Sequence, residues 1–213
     1  MANNTSQMVA LLSRMRKEMN GAVADTMFCY GKAYGLNYGV SLPTIRTIAQ
    51  EIGQDNSLAQ YLFQQQVREL QLAAMHIAKP EEITIEEMEH WGEGIVNSEL
   101  AEEFAFAIMR HHTQLEEIFH NWALCQSEFK VYAALLSAAK SELASQKSCL
   151  ESISHIISNY PSSRPIMQGI VTLLDRAYSH SEMKDSVKEL ISQMGESPAE
   201  LYIKEEMEWR MEY

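Results

Sequence analysis

The 213-residue sequence predicts an all-α fold, a right-handed α-solenoid of antiparallel helix pairs making one domain over residues 1–213. Three observations carry this. Every periodic segment repeats its apolar residues at helical spacing and none alternates as a strand does. Sequence echoes recur about every 30 residues: Arg68-Glu69-Leu70, Ser98-Glu99-Leu100 and Ser127-Glu128-Phe129 each open an apolar segment, and Glu86-Glu87-Met88 with His90-Trp91 returns as Glu116-Glu117-Ile118 with His120 and Trp122. Short polar breaks separate the segments, as stacked helix pairs require.

Taken in order, Thr5 or Ser6 can cap a first helix carrying Met8, Leu11, Leu12, Met15 and Met19, which Asn20-Gly21 ends. A short helix is predicted over Met27–Tyr34, before a loop from Gly35 to Gly39. Ser41 is an N-cap, Pro43 lies in the first turn and Gly53 at the C-cap, so Ile45, Ile48, Ala49 and Ile52 share a face. Leu62 and Phe63 close the next helix. After Gln64–Gln66, the spacing of Val67, Leu70, Ala73, Ala74 and Ile77 predicts another, ended by Lys79 before Pro80. Thr84 to Glu87 and Thr113 to Glu116 both have capping-box form, and Ser98 and Ser127 begin the partner helices. Trp122 falls on the apolar face with Leu115, Ile118 and Phe119, which makes it a packing residue. Beyond Ser141 helices are expected over Gln146–Ser158, Pro165–Tyr178, Met183–Met194 and Pro198–Trp209, with Trp209 covering the end of the last repeat.

Composition narrows the function classes. The three cysteines, Cys29, Cys125 and Cys149, have unrelated spacings and no zinc-type pairing, so free thiols are expected and no metal. His111-His112 is the only adjacent histidine pair and reads as a solvated helix end. No glycine loop for phosphate is present, and no cofactor is expected. No apolar run suits a membrane helix, which predicts a soluble, cytoplasmic protein without a membrane partner. The net charge of −12 opposes nucleic-acid binding, yet the charges are segregated: Glu81 to Glu103 contains nine glutamates and no Lys or Arg, whereas Arg14, Arg16, Lys17, Lys32 and Arg46 make the first quarter basic.

The segment Tyr38-Gly39-Val40-Ser41-Leu42-Pro43-Thr44-Ile45-Arg46, with Ile48-Ala49, resembles the GV-x-x-P-x-(L/I)R-x-IA element of the DNA alkylation repair proteins, the AlkD-like alkylpurine DNA glycosylases built from HEAT-like repeats. Leu62-Phe63 followed by Arg68-Glu69-Leu70-Gln71 and Ala73-Ala74 is similar to the next element. Asn121-Trp122-Ala123 with Ala133-Ala134 and Leu135-Leu136 is similar to a third, so the likeness runs from about Tyr34 to about Tyr178.

The resemblance implies cleavage of the N-glycosidic bond of a positively charged alkylpurine. A carboxylate near the sugar, aromatic faces near the lesion and cations on phosphates would carry that reaction. The family's W-x-x-x-D motif lands on Asn97–Phe104, NSELAEEF, with neither Trp nor Asp, so Glu102 or Glu103 is the local substitute. The following Arg falls at Tyr132 and a second Trp at about Leu173. Candidate catalytic residues are therefore Glu102, Glu103 and Tyr132, and candidate nucleic-acid contacts are Lys32, Arg46, Arg68, Lys130 and Arg176. Three readings stay open for a monomeric protein: a glycosylase with a substituted site, a binder of duplex DNA, alkylated or not, that reads shape and phosphates with excision weak or absent, and a scaffold for a protein partner.

Overall fold

A computed structural model of the chain describes residues 2–29 and 34–212. It is all-α: among the described residues the only β feature is an isolated parallel bridge between Leu36 and Val67. The chain divides into two compact units, Met1–Ile108 and Met109–Tyr213. Among the described residues no helix is long and apolar enough to cross a membrane.

In the first unit α1 (Ala2–Met15) and a short 3-10 turn lead to α2 (Gly21–Cys29), α3 (Leu42–Ile52), α4 (Asn56–Phe63), α5 (Arg68–Ile77), α6 (Ile85–Glu93) and α7 (Ser98–Ala107). Helix α5 is the centre. Every residue of it except His76 is buried, and α3, α4 and α7 pack around it. The second unit repeats this plan. Its α8 (Leu115–Ala123) and α11 (Arg164–Tyr178) pack on α9 (Glu128–Ala139), whose residues from Val131 onward are all buried. The short α10 (Ile153–Asn159), α12 (Lys184–Gln193) and α13 (Pro198–Glu212) then pack on α11.

The repeat is more regular than the sequence echo. Helices α5, α7 and α9 start at Arg68, Ser98 and Glu128, 30 residues apart each time, and each follows a break of four residues. Ser98 begins α7 as expected, behind Asn97, which caps the helix by accepting from the Leu100 amide at 3.0 Å, and Ser127 stands at the N-cap of α9 without a side-chain cap bond.

Other local expectations divide in the same way. Ser41 accepts from the Thr44 amide, Gly53 closes α3 at φ 84°, and Thr84 and Glu87 form the reciprocal capping box of α6. The second box does not form. His112 is buried, its Nδ1 accepts the Gln114 amide at 3.0 Å, and α8 begins one residue later than Thr113 would place it. Asn20-Gly21 opens a helix instead of ending one, since Asn20 Oδ1 accepts from the Val23 amide; the predicted Met27–Tyr34 helix gives way to α2, and its residues 30–33 lie outside the described residues. Helix α1 begins before Thr5, whose hydroxyl meets Tyr61 Oη at 3.1 Å. The Gln146–Ser158 helix is a 3-10 turn over Lys147–Leu150 followed by α10. Trp122 is buried as expected, whereas Trp209 is 63% exposed, because α13 packs through Ala199, Ile203 and Met207.

Candidate nucleic-acid interface

The loop before α3 sets the first unit's polar groups in place. Gly39 has φ +69°, and a Cβ there would stand 2.0 Å from the Asn20 carbonyl oxygen, so only glycine lets the loop pass this closely. The turn aims the amides of Tyr38 and Val40 at the Glu69 carboxylate, at 3.2 and 3.3 Å. Glu69 is wholly buried, and its neighbour Arg68, 1% exposed, spans it and Glu99. Arg68 bonds Glu99 through Nε and Nη2, at 2.8 and 2.6 Å, and the Val40 carbonyl through Nη1. Tyr34 donates to Glu99 at 2.5 Å. Burial, then the adjoining Glu99 charge, pushes the Tyr34 phenol far above its ordinary range. Arg68 thus holds the loop, α5 and α7 together, and a guanidinium so enclosed cannot reach a phosphate.

The position matched to the family's acid lies on α7. Glu103 there has a side chain only 4% exposed, and both of its oxygens are engaged. Arg46 of α3 donates to it through Nε at 2.9 Å and Nη2 at 2.7 Å, a bidentate pair, and His76 Nε2 of α5 meets Oε1. Burial alone would raise the Glu103 carboxyl, but the His76 and Arg46 bonds outweigh it and hold the group below the usual carboxylate value. Arg46 also lies over the Phe106 ring at 4.9 Å, and about a third of its side chain remains exposed. Glu102, one position earlier, points away from the core and is exposed. The structure therefore brings Arg46 and Glu103 together, with His76 as a third member that the sequence reading missed; its only signal was a lone histidine among the apolar residues that end α5.

A cleft of about 490 Å³ opens on the same unit, where Arg14, Lys17 and Glu18 face Thr44 and Thr47 of α3. Arg14 pairs with Glu51 at 2.5 Å, but both side chains are about half exposed, so water and salt weaken the pair. Arg16 stacks on Tyr38 and bonds its hydroxyl at 2.9 Å. These cations come from the basic first quarter of the sequence, the signal that marks them. Lys32 lies outside the described residues.

In the second unit Tyr132 is buried in α9, with its ring edge 3.1 Å from where a Cβ on Gly169 of α11 would stand. Leu173 is buried on α11, and Arg176 of the same helix is exposed with Nη1 3.4 Å from Ser179 Oγ. Lys130 is partly buried, its Nζ 5.0 Å from the centre of the Trp122 ring. Among the described residues no group of three or more His, Cys, Asp or Glu is arranged to hold a metal ion.

Comparison with solved structures finds a likeness over 94% of this chain and 93% of the other, at TM-score 0.73 and 14% identity. That structure comes from a family of proteins related to the HEAT-like repeat DNA glycosylases, with affinity for branched DNA structures. At this identity the likeness concerns the fold. A comparison with curated proteins finds no match. The DNA alkylation repair enzyme family matches residues 11–205, nearly the whole sequence and both compact units. The chain belongs to the DNA alkylation repair enzyme family.

Proposed function

We propose that this protein is a cytoplasmic, monomeric DNA-binding member of its family that reads DNA through shape and phosphate contacts, and that its excision of alkylated purines is weak or absent. The observation that carries this is the engagement of Glu103. A carboxylate that stabilises a developing sugar cation must present an oxygen to it. Glu103 has both oxygens committed to Arg46 and His76 and is nearly closed to solvent. Its negative charge is already offset, so little remains to favour a second cation. Glu102 is exposed, where water screens it. Buried Tyr132 presents no open face for a lesion to stack on.

Phosphate contact is assigned to Arg14, Lys17 and the exposed part of Arg46 in the first unit, with Lys130 and Arg176 in the second. Arg68 is left out because it is enclosed. The affinity of the structural relative for branched DNA supports shape as the recognised property.

The test measures base release from a duplex carrying N7-methylguanine, and binding to a duplex and a four-way junction, for the wild type and Glu103→Gln. Release at the spontaneous rate, with binding that weakens as salt rises, is the expected result. Enzyme-dependent release abolished in Glu103→Gln would establish the substituted-site glycosylase instead. No binding to either DNA would overturn the proposal.

A further inference from the structure

Arg46 is held from behind by buried groups while part of it stays open. Its Nε and Nη2 atoms donate to Glu103 at 2.9 and 2.7 Å, which commits one edge of the planar guanidinium. Among the described residues Nη1 has no hydrogen-bond partner. Nor is it one of the buried polar atoms that lack a partner, which among the described residues are Gln7 Oε1, Trp91 Nε1 and His180 Nε2. With 34% of the side chain exposed, Nη1 therefore opens to solvent, and the Nη1–Nη2 edge is left to take a second acceptor.

The direction of that edge is fixed by the groups around it. Glu103 on α7 is enclosed and cannot swing out with its partner. His76 of α5 meets Oε1 of the same carboxylate, so the seat is braced from a second helix. Arg46 Cζ lies over the Phe106 ring at 4.9 Å from its centre, which restrains tilting about the Glu103 contact. A surface arginine gives up rotamer freedom when it binds a ligand; this one has given much of it up on folding.

We propose that Glu103, braced by His76 and Phe106, is a positioning residue that presents the Nη1–Nη2 edge of Arg46 to the two non-bridging oxygens of one DNA phosphodiester. This rests on the DNA-binding reading above and adds what Arg46 contributes to it, which is direction. The charges of Arg46 and Glu103 largely cancel at a distance, so attraction from afar is left to Arg14 and Lys17. At contact the fixed fork takes both oxygens at once, a geometry that a Lys ammonium cannot copy. Two parallel bonds from a braced plane also depend on the angle of the DNA backbone, and a phosphate contact of that kind responds to DNA shape.

The test holds formal charge constant. Arg46→Lys keeps the cation and loses the fork, whereas Glu103→Asp keeps the carboxylate and draws the seat back by one methylene. Binding of a labelled four-way junction by the full chain is measured for the wild type, both single variants, the double variant and Phe106→Leu, at a temperature where circular dichroism shows each of them folded. Each of the two single variants should bind about tenfold more weakly, the double variant no more weakly than either, and Phe106→Leu about threefold more weakly. Wild-type affinity in Arg46→Lys would show that charge alone suffices, and wild-type affinity in Glu103→Asp that the carboxylate positions nothing; either overturns the inference while the DNA-binding reading stands. Losses that multiply in the double variant overturn it too, since the two residues would then act independently. Should the pair variants fail to fold, Phe106→Leu decides: unchanged affinity overturns the inference and weakened affinity upholds it. A wild type that binds no junction removes the DNA-binding reading and this inference together.

Discussion

At the scale of single residues, buried charge is what the first unit is built around. Arg68 lies between two carboxylates with almost no solvent, and removing one member of such a set leaves the others charged and unpaired. Arg68→Met should therefore cost about 3 to 5 kcal/mol, read as a fall in the urea midpoint at constant slope. An unchanged midpoint would show that water reaches Glu69 and Glu99. Glu103 gives a pH signature. Its carboxyl is held below the ordinary value of 4.5, so its contribution is fully present above that value and is lost as pH falls from there through the folded-state value. Urea midpoints measured from about pH 6 to about pH 3 should fall more steeply for the wild type than for Glu103→Gln. Parallel curves would mean that the pair with Arg46 adds no pH-dependent stability. Neither network was visible in sequence, because Arg46, His76 and Glu103 are separated by about 30 residues each and meet only when three helices align.

At the scale of helices, the legible features were the ones coded within a few residues. The Ser41 cap, the Gly53 terminus and the Thr84 box each need only a short local pattern, and each formed. The Thr113 box had the same pattern and failed: the buried His112 accepts the Gln114 amide, Gln114 stands at the N-cap, and the helix starts at Leu115. Local pattern was overruled there by tertiary burial. The same reasoning separates two tryptophans: Trp122 has apolar partners three and four residues away on its own face, whereas Trp209 is surrounded by glutamates and sits on the exposed side of α13. Trp122→Ala should cost about 3 to 5 kcal/mol, and Thr84→Ala about 1 kcal/mol, measured by thermal or denaturant unfolding. A loss at Trp122 no larger than that at Thr84 would contradict its place in the second unit's core.

At the scale of the whole molecule, a chain of net charge −12 can bind a polyanion only through local cation surplus, and that limits how salt-sensitive the binding is. Long-range attraction is absent, so only the cations in contact release counterions. With three to five phosphates contacted by the residues proposed above, the slope of log affinity against log salt should be about −2.7 to −4.5. Affinity would then fall by about 40-fold to about 500-fold between roughly 50 and roughly 200 mM salt. The decisive variant is Arg14→Gln/Lys17→Gln, because both residues are exposed and neither belongs to a buried pair. It should make the slope shallower by about 1.8, while Glu93→Gln, at an exposed position of α6, should leave the slope unchanged. Titrations of a labelled four-way junction at several salt concentrations give both numbers. A slope near zero for the wild type would rule out phosphate contact as the basis of binding, and an unaltered slope in the double variant would move the contact away from the α1 and α3 surface.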